Sequence, residues 1–141
     1  MDVVDVATRS RMMAGIRSKN TRPEVRLRRF LHGRGFRYRL HARNLPGSPD
    51  IVLSKYRVVI FVHGCFWHQH SGCKYATMPH TNKEKWQKKF ADNAVRDQRN
   101  MDDLIAAGWR PIVVWECAVR NKVPDQDLEW IIAEILAGPW N

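Results

Sequence analysis

Hydrophobic and polar positions follow two different periods along this chain, and the switches between them mark its elements. In "RPEVRLRRFLHG" Val25, Leu27, Phe30 and Leu31 fall at helical spacing, behind a Thr21-Arg22-Pro23-Glu24 capping box with proline in the first turn. A helix is predicted from Pro23 to His32, stopping at Gly33 or Gly35. "FRYRL" alternates apolar and basic residues as a half-exposed strand does, and "LPGSPD" is a turn. "DIVL" and "YRVVIFV" predict two strands joined at Ser54-Lys55; the second is apolar almost throughout, as a central strand covered on both faces should be. From Asn82 to Ala107 the period returns to that of a helix, with Trp86, Phe90, Ala94, Asp97, Met101 and Leu104 on one stripe closed by Gly108. "RPIVVWEC" is another buried strand, and Pro124 to Leu136 a last helix carrying Leu128, Ile131, Ile132, Ile135 and Leu136. The order α-β-β-β-α-β-α predicts an α/β fold with a mixed sheet flanked by helices. A length of 141 residues suits one domain over 1–141, with residues 1–20 as a basic arm.

Charge adds a partner class. Twenty-four Lys+Arg against fourteen Asp+Glu give a net charge of +10, the footprint of a protein that meets a polyanion, with a basic, soluble protein that has no such partner as the plainer account. No apolar run reaches the roughly 18 residues of a membrane span, and "MDVVDVATRSRMM" lacks the apolar core of a signal peptide, so a cytoplasmic protein with no membrane partner is expected. Three cysteines in such a compartment argue for metal ligation or burial over disulfides.

Candidate chemistry crowds into "VVIFVHGCFWHQHSGCKYATMPHTNKEKW", past the end of the central strand. Cys65-x4-His70-x2-Cys73 offers three ligands in a tight loop and Cys117 a fourth from the next strand, a set that suits a closed structural zinc site. His70 is placed ahead of His68 as the fourth ligand, and plain burial of Cys117 is the alternative. Asp50 stands between a turn and a strand, where a carboxylate can be aimed at a metal-bound phosphate, although Pro-Asp is also an everyday turn. Asp97 lies on the apolar stripe of the long helix, where a carboxylate needs a partner, either a basic neighbour or a metal. Glu24 is either the far end of its capping box or a second acidic group. His63 and His68 flank the aromatic pair and can orient water, take a proton or meet a phosphate; His80 reads as a surface residue. The plain reading of Phe66, Trp67 and Trp86 is core packing, which suits Trp86 on its apolar stripe about as well as any other role; Phe66 and Trp67, adjacent in a polar loop, cannot easily both turn inward, and apolar side chains so placed suit insertion between base steps of a distorted duplex.

Taken together, "ATRSRMM", "LPGSPDIV", "YRVVIFVHGCFWH", "NAVRDQRN" and "GWRPIVVWECA" resemble the very short patch repair (Vsr) endonucleases, bacterial enzymes that nick DNA at T:G mismatches left by deamination of 5-methylcytosine. The resemblance runs from about Ala7 to Val119 and implies a restriction-endonuclease-like α/β core with structural zinc. It implies Asp50 as the Mg²⁺-binding aspartate, the carbonyl of Val62 as a second metal contact, His63 and His68 as catalytic histidines, and Glu24 and Asp97 on metal-bound water. Zinc would be held by Cys65, His70, Cys73 and Cys117, and Phe66, Trp67 and Trp86 would intercalate, with Met13 near the opposite groove. The partner is then double-stranded DNA with a T:G mismatch, acted on by a monomer and leaving open recruitment by mismatch-repair proteins. Three departures stand out: Val62 where threonine is frequent, one residue inserted between His70 and Cys73, and a short C-terminus. Two rival functions share these residues: a restriction or defence nuclease without mismatch selectivity, and a non-catalytic zinc-stabilised DNA-binding module.

Overall fold

The computed structural model describes residues 20–120 and 122–138. Met13 and nearly all of the basic arm lie outside them. The elements are α1 (Arg22–Gly33), β1 (Arg39–Leu40), β2 (Ile51–Leu53), β3 (Val58–His63), α2 (Lys83–Ala106), β4 (Arg110–Trp115) and α3 (Glu129–Leu136), in the predicted order. Short 3₁₀ turns at Ser54–Tyr56, Glu116–Val119 and Asp125–Leu128 trim the predicted strands and the last helix.

The four strands lie side by side in sequence order. β1 with β2 and β2 with β3 are antiparallel; β3 and β4 are parallel, which requires a long crossover, and α2 supplies it. The mixed α/β sheet with flanking helices matches expectation and fits a nuclease fold.

Alternation along β2 and β3 splits the core between the two faces. Ile51, Leu53, Val58 and Ile60 join Leu27 and Leu31 of α1 and Ile131 and Ile135 of α3, whereas Val52, Val59 and Phe61 meet Leu104 of α2 and Trp109. Continuing the second series by two residues places His63 on the α2 face. Arg110, itself buried, closes the end of α3: its Nη2 donates to the carbonyl of Ile135 at 2.8 Å and Nη1 to that of Glu134 at 3.1 Å, which also accepts from the Ala137 N–H.

Three expectations need correction. "FRYRL" is a strand only at Arg39–Leu40, because Phe36 and Tyr38 are held by other contacts: Phe36 packs on Tyr56 with ring centroids 5.5 Å apart, and the Tyr38 hydroxyl donates to the carbonyl of Arg28 at 2.9 Å. Ala94 is exposed, since α2 buries Phe90 and Leu104 towards its two ends and bridges a cleft between them. Leu136, in the last turn of α3, is 58% exposed.

Candidate active site

The carboxyl ends of β3 and β4, paired at His63 and Trp115, form the floor of the site. Asp50 immediately precedes β2, and its Oδ2 accepts from the backbone N–H of Val62 at 2.7 Å, which ties it to the next-to-last residue of β3. Burial, opposed by that hydrogen bond and assisted by the nearby Glu24 charge, pushes its carboxyl up to about 6. Glu24 is buried and serves both of its predicted readings. Its N–H donates to Thr21 Oγ1 at 3.4 Å, one half of a capping box, and its Oε2 accepts from the Asn20 N–H at 3.1 Å in place of that of Thr21, while its carboxylate faces Asp50 and bonds His41 Nε2.

His63, His68 and Asp97 form a second group. The two imidazoles stack with centroids 3.9 Å apart and planes 3° apart. Asp97 Oδ2 accepts from His68 Nδ1 at 2.6 Å, so the stripe carboxylate has the basic partner its position demanded. With Nδ1–H committed to Asp97, His68 presents Nε2 as an acceptor. Burial, reinforced by the charge of His68, lowers His63 to about 4, so it is neutral at physiological pH. A small cavity is lined by Asp50, Val62, His63, His68 and Asp97 together.

Behind this pair lies the candidate zinc centre. Donor atoms of Cys65, His70, Cys73 and Cys117 all lie within 4.8 Å of one another. Cys117 Sγ and His70 Nδ1 are 3.5 Å apart; tetrahedral bonds of about 2.3 Å to sulfur and 2.0–2.1 Å to nitrogen place two such donors roughly 3.5 Å apart, so the donor set fits zinc. The inserted residue does not prevent convergence: Gly72 takes φ +72°, a conformation glycine adopts without strain, and Cys73 N–H reaches back to the His70 carbonyl at 3.2 Å. Trp115 links the two centres, stacking on His70 at 4.1 Å and meeting His63 edge-on at 5.3 Å.

An open cleft of about 880 Å³ joins Glu24, Asp50, Val62 and His68 to Phe66, Trp67 and Trp86. The adjacent pair turns neither fully in nor fully out. Phe66 meets Trp67, Trp86 and Phe90 edge-on at 5.2–5.5 Å, and all but Phe90 remain half-buried. Lys89 Nζ stands 5.3 Å from the Trp67 ring centroid and 5.9 Å from that of Trp86, within cation–π range. Asn93 of α2 donates to the Trp67 carbonyl at 3.1 Å, and Gln69 to that of Phe66 at 2.7 Å, so the backbone beneath the aromatic rings is pinned.

Every proposed site residue within the described part of the chain thus falls in one of these groups. As site residues His41, Trp115 and Phe90 escaped the sequence reading, which had Phe90 only on the apolar stripe of the long helix. Of the three, His41 had a signal: drawing β1 and β2 as a hairpin across "LPGSPD" sets it opposite Asp50, whose carbonyl accepts its N–H at 3.0 Å.

Comparison with known proteins identifies the family. The profile of the DNA mismatch endonuclease Vsr family matches residues 1–74, and DNA mismatch endonuclease Vsr of Escherichia coli (strain K12) is 44% identical over 140 residues, covering 94% of this chain and 89% of that protein. The chain belongs to the Vsr family of DNA mismatch endonucleases. Type II nicking enzyme V.XorIIP of Xanthomonas oryzae pv. oryzae is 50% identical over 78% of this chain and 80% of its own length. Type II nicking enzyme V.NmeAIP of Neisseria meningitidis is 46% identical over 86% of each. Membership in the Vsr family makes the chain a DNA-cleaving hydrolase with DNA as its substrate. No helix among the described residues is long and apolar enough to cross a membrane.

Proposed function

We propose that this protein nicks one strand of duplex DNA beside a T:G mismatch, by Mg²⁺-dependent phosphodiester hydrolysis, and that zinc holds its aromatic loop. The observation that carries the reading is the single cleft in which a buried carboxylate, a carboxylate-oriented imidazole and an aromatic cluster meet at the end of β3.

Asp50 would hold the magnesium ion through the oxygen not engaged by Val62, with the Val62 carbonyl as a second contact and Glu24 and Asp97 ordering its water shell; the ion, when bound, supplies charge stabilisation at the phosphate. His68, steered by Asp97, is the group placed to take a proton from water at Nε2 as the water oxygen attacks phosphorus. The ester P–O bond then breaks, and the leaving oxygen is protonated from solvent. Neutral His63, stacked against His68, donates its ring N–H to a phosphate oxygen without adding charge. Phe66, Trp67 and Trp86 unstack the mismatched step, where the cost of unstacking is least. The four-ligand centre keeps this loop over the site and takes no part in the chemistry, and Met13 of the arm would approach the opposite groove.

The names of the nicking-enzyme relatives keep one alternative in view, a nuclease of a restriction system that does not require a mismatch. A nicking assay on T:G-mismatched and matched duplex, with and without Mg²⁺, separates the readings. Nicking should require Mg²⁺ and the mismatch, and fall by about 10³-fold or more in Asp50→Asn. Equal nicking of matched duplex favours the alternative, and an unaffected Asp50→Asn defeats both.

A further inference from the structure

His41 sits in the active site with no role in the mechanism above. Its donor atom lies with those of Glu24 and Asp50, all three within 4.8 Å of one another, the span that ligands of a single ion can occupy. The placement is built into the fold. The antiparallel pairing Leu40↔Ile51 continues in the His41 N–H to Asp50 carbonyl bond, and His41 takes φ +50°, an uncommon conformation for a non-glycine residue that persists where the surroundings fix it. Glu24 comes from the first turn of α1, in contact with His41 and with Arg28 Nη1 at 3.9 Å. Two buried or half-buried carboxylates therefore face each other across one imidazole, an excess of negative charge that a divalent cation would cancel.

The chemistry of the donors narrows the cation. Mg²⁺ is a hard ion that prefers an all-oxygen shell, whereas a mixed set of carboxylate oxygen and imidazole nitrogen suits first-row transition metals such as Mn²⁺ and Co²⁺. We propose that Glu24, His41 and Asp50 directly coordinate one divalent transition-metal ion, His41 supplying a nitrogen ligand, so that this protein binds Mn²⁺ more tightly than Mg²⁺. The inference rests on the proposed role of Asp50 as a cation ligand and adds a nitrogen ligand and a metal preference to it, with Glu24 bound directly to the transition-metal ion where it would order the water shell of Mg²⁺.

Pulsed electron paramagnetic resonance of Mn²⁺ added to the full-length, zinc-loaded protein without DNA tests this directly. Bound Mn²⁺ should show coupling to one histidine nitrogen, and labelling histidine with ¹⁵N should change that coupling, a readout that needs no variant. His41→Gln, which keeps an amide able to bond Glu24, should abolish the coupling and weaken Mn²⁺ binding about tenfold or more while changing Mg²⁺ binding less than about threefold. A merely positioning His41 would leave no nitrogen coupling in the wild type. Coupling that persists in His41→Gln and disappears in His68→Gln would place the ion among His63, His68 and Asp97. Either result overturns the proposal while leaving the Asp50 reading intact. Unchanged Mn²⁺ and Mg²⁺ binding in Asp50→Asn would overturn both.

Discussion

Two residues of the candidate active site hold protonation states that folding makes costly, with opposite consequences for stability. Asp50 rises from 3.8 to about 6 on folding, so its ionised form at pH 7 is disfavoured in the native state and the protein gains stability as pH falls through 6. His63 drops from 6.5 to about 4, so below pH 6.5 the unfolded chain takes up a proton that the native chain refuses, and stability falls. Between pH 4 and 6 the two effects oppose each other. Asp50→Asn keeps an oxygen for the Val62 N–H and removes only the first. In Mg²⁺-free buffer that leaves zinc in place, urea unfolding should find Asp50→Asn more stable than wild type by about 3 kcal/mol at pH 7. The variant should then lose stability on acidification where wild type is nearly flat. A variant less stable at pH 7 would mean that the buried carboxylate is stabilising. Proton and cation also compete for Asp50, so the acid limb of nicking activity should fall near pH 6 at low Mg²⁺ and move to lower pH as Mg²⁺ is raised.

Among the elements, β3 and β4 were the easiest to read because they are buried on both faces and carry continuous apolar runs. β1 was misjudged in length because side-chain contacts to α1 and Tyr56, invisible in any local pattern, take over from its ladder. The candidate carboxylates and ligands stand out for a related reason: Asp97 on an apolar stripe and three cysteines in one chain each demand an explanation. His41 and Arg110 do not stand out locally, since their partners are set by tertiary packing. Arg110 makes the element-scale prediction. Its guanidinium spans carbonyls of Glu134 and Ile135 on α3 and of Tyr56 before β3, with Nη2 3.4 Å from the last. Arg110→Ala leaves those acceptors buried and should cost about 2–4 kcal/mol. Arg110→Lys, which presents a point charge in place of a planar fork, should recover less than half of that loss by thermal or urea unfolding. Full recovery with lysine would show that charge at the end of α3 matters and the paired geometry does not.

At the scale of the whole molecule, the proposed function divides the work of binding DNA between the charge of +10 and the aromatic cluster. Lys85, Lys88, Lys89 and Arg96 line the cleft that also holds Phe66, Trp67 and Trp86, so charge and wedge share one surface. Lys88 is already paired with Asp92 at 2.9 Å, whereas Lys89 lies against the rings of Trp67 and Trp86, where a phosphate drawn into the cleft could take it over. Phosphate contacts release counterions whatever the sequence, while a wedge gains from a step that is already weakly stacked. The two contributions are therefore separable. Lys89→Gln should weaken binding to mismatched and matched duplex alike and reduce the slope of log affinity against log salt by about 0.9, the loss of one phosphate contact. Trp67→Ala should leave that slope unchanged and lower the preference for mismatched over matched duplex, by about 1–3 kcal/mol if one stacked base is lost. Fluorescence anisotropy over a salt series with both duplexes measures each quantity. If Trp67→Ala changed the salt slope and spared the preference, the half-buried aromatic cluster would be only a packing element beneath a basic surface, and mismatch selection would have to come from elsewhere in the cleft.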